Sequence, residues 1–189
     1  MSGYLANPIV FLIQTLFGLY AAIVALRFLL QWVRADFYNP MSQFIVRVTT
    51  PVLRPLRQVV PSYAGLDLAS LVLAWLVKAL ELATVALIAG FGNPLGAIFW
   101  AIPALVTLFI NIFLFAVVIR VILSWVNPDP YNPAIGLLDR LTSPLLDPAR
   151  RWVPPISGLD LSPMAVMIGL VVLDMLLVPP LNALTGSPF

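Results

Sequence analysis

Four acidic residues stand in two pairs at one interval: Asp67 and Asp160 are 93 residues apart, and so are Glu81 and Asp174. Two carboxylates that face each other can share a proton and activate water, the chemistry of aspartyl proteolysis. Carboxylates inside an apolar segment can instead line a path for a cation or proton, because an ionised group in mid-membrane normally faces a bundle interior or water. Each pair also has a plainer reading. Asp67 and Asp160 both follow Gly-Leu and both precede long apolar runs. Each can therefore cap its own helix, accepting N–H bonds and complementing the helix dipole. Capping explains each Asp separately, and a repeat explains why there are two. Lys78 lies three residues before Glu81 and can neutralise it on one helical face. The position matching Lys78 is Val171, so Asp174 must be protonated or bonded to another helix. Gln14 and Asn111 are the remaining polar candidates for such a cluster.

The interval is not confined to the acids. The stretch Arg27 to Asp67 recurs without a gap as Arg120 to Asp160. It opens with Arg27/Arg120, Trp32/Trp125, Asp36/Asp129 and Tyr38-Asn39-Pro40/Tyr131-Asn132-Pro133. It continues through Arg47/Arg140, Thr49/Thr142, Pro51/Pro144, Pro55/Pro148, Arg57/Arg150, Pro61/Pro154 and Gly65/Gly158. A match carried by polar residues and prolines rather than by Leu and Val marks a tandem duplication. Residues 1–93 form the first repeat and 94–189 the second.

Hydrophobic residues make up 61% of the chain and charged residues 10%, with a mean hydropathy of +1.02. A soluble domain carries roughly 25% charged residues, so much of this chain must sit in lipid. There is no Cys and no His. Disulfides, Cys/His zinc sites and every catalytic triad needing imidazole or thiolate are excluded. No metal-ligand spacing, phosphate-cradling glycine loop or extended basic patch for nucleic acid occurs. Neither a cofactor nor a nucleic-acid partner is expected.

Crossing the bilayer takes about 20 mostly apolar residues, and the stretches 8–33, 68–89, 95–126 and 161–178 qualify. The first has no basic residue ahead of it and reads as a mature span rather than a signal peptide. Each repeat is thus span, polar motif, span. Two spans per repeat give both copies one orientation and predict a pseudo-two-fold axis along the membrane normal. Arg34, Arg47, Arg54 and Arg57 lie in the first motif; Arg140, Arg150 and Arg151 lie in the second. The tails and the 90–94 connection hold no basic residue. By the positive-inside rule both motifs are cytoplasmic and both termini outside.

Within each motif, Asn39-Pro40 and Asn132-Pro133 read as helix starts, Asn as cap and Pro at the first helical position. Phe44, Ile45 and Val48 should form one side, with Gln43 and Arg47 elsewhere. In the second copy Ile135, Leu138 and Leu141 oppose Asp139 and Arg140. Thr50-Pro51 and Ser143-Pro144 repeat the start signal, and Pro55 and Pro148 follow too soon for an unkinked helix. Two short amphipathic pieces per motif are expected, lying at the interface with arginines toward phosphate. Trp32, Trp125, Tyr38 and Tyr131 fall where an aromatic belt belongs. Arg27 and Arg120 are too shallow to reach Glu81 and Asp174 and suit snorkelling or contacts with the motif. Gly18/Ala22 and Ala79/Ala83 have the small-xxx-small spacing that permits close helix packing.

The pattern R-x-x-L-x-W-x-x-x-D-x-Y-N-P, then R-x-T-x-P, a proline/arginine run and G-L-D, occurs twice and resembles the YggT family of small integral membrane proteins. That resemblance covers nearly the whole chain. It implies association with osmotic-shock tolerance and potassium uptake in bacterial relatives. In plastid relatives it implies assembly of a haem-containing cytochrome complex and nucleoid organisation.

The expected protein is an all-α integral membrane protein of four spans, built from two parallel repeats and not an enzyme. Its motif residues would bind anionic lipid headgroups or a membrane or cytoplasmic protein partner. The alternative, motivated by Lys78, Glu81 and Asp174, is ion handling by a homo-oligomer.

Overall fold

The computed structural model describes residues 3–63, 65–90, 93–126, 132–154 and 160–189. Three motif residues, Asp129, Tyr131 and Gly158, lie outside them. Among the described residues the elements are all helices: α1 (Gly3–Trp32), α2 (Pro40–Val59), α3 (Leu68–Ala89), a 3-10 turn (Pro94–Gly96), α4 (Ala97–Val126), α5 (Pro133–Trp152) and α6 (Ser162–Thr185). Four segments are long and apolar enough to cross a membrane: Ala6–Trp32, Leu68–Ala89, Pro94–Val126 and Ser162–Thr185. The last runs beyond the expected end at 178, straight through Pro179 and Pro180. Gly90 and Gly186, both at positive φ, close α3 and α6 with left-handed caps that a side chain would strain.

Helices α2 and α5 correct the expectation of two short pieces per motif: each is one continuous helix of 20 residues. Pro51 and Pro55 are four apart and so share a face, and both are exposed. The carbonyls they leave without a backbone donor can therefore be solvated, and the helix continues. Pro144 and Pro148 repeat this geometry in α5, where the Ser143 hydroxyl also donates to the Arg140 carbonyl at 3.3 Å. The side of α2 that packs inward is Ser42, Thr49 and Leu53, whereas Phe44 is exposed. The motif helix thus turns hydroxyls inward, which only makes sense if a polar partner waits there.

The core follows the sequence of packed helices α1–α3–α4–α6. Val24, Leu53, Ala69, Leu73, Ala74 and Leu105 form one cluster. A second joins α3 to α4 through Ala79, Leu82, Ala86, Ala97, Trp100 and Ala101. Small residues let those two backbones approach, and dispersion over the contact holds them. Gly18 contributes nothing comparable, since a Cβ added there meets no atom within 4 Å. Helix α6 makes no packing on α1 to match that of α3 on α4. The two-fold that duplication predicts is therefore broken, and one copy is packed more completely than the other.

Candidate functional site

The motif residues assemble at one end of the bundle, where α2 and α5 lie beside each other. Asn39 Oδ1 accepts the Met41 N–H at 2.9 Å, and Asn132 Oδ1 accepts the Ala134 N–H at 3.0 Å, so each Asn caps its helix with Pro40 or Pro133 behind it. The Asn39 amide then donates to the Pro133 carbonyl at 2.6 Å, tying the two helix starts together. Asp36 accepts the Tyr38 N–H at 2.8 Å, a local turn rather than a catalytic contact. Leu137 packs with Leu30 and Ala35, and Leu141 with Leu29 and Ala116, which seats α5 across the ends of α1 and α4. Trp32 meets the Phe113 ring edge-on at 6.4 Å between centroids, while Trp125 and Tyr38 stand exposed.

Beneath the first motif helix an arginine from the preceding span meets an Asp at the start of the next span. In the first repeat this cluster is sealed. Arg27 is 5% exposed; its Nη1 donates to the Thr49 hydroxyl at 2.5 Å, the Thr50 hydroxyl at 3.1 Å and the Val46 carbonyl at 3.3 Å. Its Nε lies 3.6 Å from Asp67, which has no solvent exposure. Asp67 also accepts from Arg57 at 2.5 Å and from the Ser70 hydroxyl at 2.7 Å, and caps α3 through the Ser70 N–H. Burial alone would raise the Asp67 carboxyl, but the bonds from Ser70 and Arg57 and the Arg57 charge outweigh it and hold it below the usual range. Gln31 closes the rim by donating to the Gly65 carbonyl at 3.1 Å.

In the second repeat the same positions stand open. Asp139 occupies the place of Val46 and takes the Nε of Arg120. Thr142 is buried like Thr49, yet its hydroxyl bonds only to carbonyls of its own helix. Arg150 Nε reaches Asp160 at 3.0 Å and its Nη1 reaches Asp147 at 3.5 Å. Asp160 accepts the Ser162 N–H at 2.9 Å but remains 39% exposed. Burial pushes its carboxyl up; the bonds from Ser162 and then Arg150 more than reverse this and keep it ionised. Both Asp67 and Asp160 are thus held low, each by its own arginine, whereas a dyad sharing one proton needs one carboxyl raised. The proteolytic arrangement has no support here.

The intramembrane groups form two local pairs. Lys78 donates to both Glu81 oxygens at 3.0 and 2.8 Å, and Asp174 accepts the Thr107 hydroxyl at 3.2 Å. Lys78, Thr107 and Asn182 line one cavity of about 280 Å³ between α3, α4 and α6. Gln14 and Asn111 are exposed and belong to neither pair. Outside these clusters Arg34, Arg47, Arg54, Arg140 and Arg151 are exposed on or beside the motif helices. No group of acidic residues among the described ones could hold a metal ion. Thr49, Ser70 and Gln31 escaped the sequence reading as site residues; a hydroxyl three places after a capping Asp was the available signal for Ser70.

A model of the family described as CCB3/YggT matches residues 6–88 and again 99–181, once per repeat. An uncharacterized protein of Pseudomonas aeruginosa is 47% identical over 182 residues, 95% of this chain and 92% of that protein. An uncharacterized protein of Vibrio alginolyticus is 41% identical over 167 residues, 87% and 90% of the two chains. The uncharacterized protein YggT of Escherichia coli K12 is 36% identical over 181 residues, 96% and 94%. No solved structure matches the chain.

Proposed function

The chain belongs to the CCB3/YggT family, and from that premise we propose that it is a non-enzymatic, multi-pass inner-membrane scaffold, supporting assembly or envelope homeostasis, whose paired motif helices form a cytoplasmic platform. The observation that carries this reading is the joining of α2 to α5 at one end of the bundle, with the Asn39–Pro133 bond between them. Arg34 and Arg140 stand near that junction, joined by a bond from the Arg140 guanidinium to the Arg34 carbonyl, and Arg47, Arg54 and Arg151 are exposed farther along the two helices. Cations on rigid helices at a lipid boundary suit anionic headgroups, and an anionic face of a partner protein presents the same chemistry. The motif helices lie in the interface with these arginines toward phosphate, and the buried Arg27–Asp67 cluster keeps the first of them from rotating.

A photo-crosslinker at Phe44, exposed on α2, tests this in intact membranes. A discrete adduct should form with the wild-type protein and vanish in R47A/R140A, while membrane insertion is unchanged. An adduct that survives the double substitution removes the platform.

The cavity shared by Lys78 and Thr107 motivates a second reading, ion handling by an oligomer, with Glu81 and Asp174 as the charged groups. Flux through liposomes separates the two: transport requires a rate above empty liposomes that E81Q/D174N abolishes.

A further inference from the structure

The open cluster of the second repeat is a cavity of about 590 Å³ between α4, α5 and α6, far larger than one free phosphate requires. Arg120 and Arg150 enter it from one side with Asp160 beside them, and Val121, Met164 and Met167 form an apolar wall. In the first repeat Nη1 of Arg27 is occupied by Thr49, Thr50 and the Val46 carbonyl. Arg120 engages Asp139 through Nε, and its two terminal nitrogens have no partner among the described residues. A guanidinium fork left open at the lipid boundary matches a phosphate diester. Arg120 stands six residues before the end of α4, about 9 Å by helix rise, so a snorkelling side chain reaches the headgroup layer. The apolar wall then continues along the direction of an acyl chain.

Charge decides which headgroup fits. The cavity lining holds one carboxylate, Asp160, beside the two arginines, while Asp139 and Asp147 pair with Arg120 and Arg150 outside that lining. A lipid whose only charge is its phosphate leaves Asp160 facing the headgroup without a counter-charge. A zwitterionic one places phosphate on the arginines and an ammonium beside Asp160. Trp125, 82% exposed at the rim, offers that ammonium an aromatic face. We propose that this cavity binds one aminophospholipid, its phosphodiester held by Arg120 and Arg150 and its ammonium by Asp160. The site is separate from the exposed arginines of the platform, so either can fail without the other.

The test uses purified full-length protein, delipidated in detergent and mixed with dioleoyl phosphatidylethanolamine, dioleoyl phosphatidylglycerol or inorganic phosphate. Native mass spectrometry reads the ligand retained per chain. One phosphatidylethanolamine per chain is expected, neither matched by phosphatidylglycerol nor displaced by inorganic phosphate. R120Q should lower retention about tenfold or more, the scale of a lost charged hydrogen bond. M167W fills the cavity without touching the charges and should lower it similarly, whereas R47A/R140A should leave it unchanged. Equal retention of phosphatidylglycerol, displacement by inorganic phosphate, or wild-type retention in both R120Q and M167W overturns the assignment.

Discussion

The two copies of the Arg-to-Asp motif share one sequence pattern and fold into the same elements, yet one is sealed and the other open. A few substitutions at matched positions account for the difference. Val46 leaves Arg27 with Asp67 as its carboxylate, whereas Asp139 in the matching place draws Arg120 outward. Ser70 gives Asp67 a hydroxyl that Pro163 cannot give Asp160. Gln31 spans to the Gly65 carbonyl, but its counterpart Ser124 is too short and bonds back to Val121 in its own helix. Small side chains complete the contrast: Ala21, Ala25 and Ala74 are buried between α1 and α3, where the second copy has Leu114, Val118 and Met167. A duplicated membrane motif can therefore keep one copy as structure and release the other to meet a ligand.

The comparison is most exposed to failure at the two aspartates. Asp67→Asn leaves Arg27 buried without its counter-charge and should cost about 3 kcal/mol or more. Asp160→Asn removes an exposed pair and should cost at most about 1 kcal/mol. Unfolding in mixed micelles measures both, and equal losses would erase the distinction. The pH dependence has a definite sign. Asp67 is held below its ordinary value when folded, so its contribution is present above the unfolded carboxylate range and is lost as pH falls through the lower folded value. Wild type should lose stability in that acid window, and D67N should lack that part of the loss.

Packing offers a smaller contrast. Ala74→Met imports the second copy's residue into a site with no free space and should cost about 1–3 kcal/mol by overpacking. Met167→Ala, on the wall of the cavity, should change stability by no more than about 0.5 kcal/mol. Matching effects would mean that both helix pairs pack alike.

Much of the fold was legible because its signals are local. Uninterrupted apolar runs marked the spans, the fixed offset marked the duplication, and Asn39-Pro40 and Asn132-Pro133 marked helix starts. What stayed hidden depends on tertiary surroundings. Pro51 and Pro55 looked like a break because a missing N–H is costly in a buried helix; exposure of their shared face removes that cost. Periodicity put Phe44, Ile45 and Val48 on one side of α2 but did not show that Ser42, Thr49 and Leu53 are the residues packed inward. The inward turn of Thr49 follows from Arg27, and that of Ser42 from the Asp36 carbonyl, and neither partner lies in α2. The Val46/Asp139 exchange was visible as a letter, but its effect needs the geometry of two arginines choosing between carboxylates.

The chain has no cysteine, so one introduced thiol reports on one place. Ser70 and Pro163 occupy the same position in the two repeats; Ser70 is fully buried and Pro163 lines the open cavity. An impermeant maleimide applied from the motif side of oriented vesicles should modify Pro163→Cys and leave Ser70→Cys untouched. Equal modification of the two, or access to residue 163 from the opposite face of the membrane, contradicts one sealed and one open copy side by side.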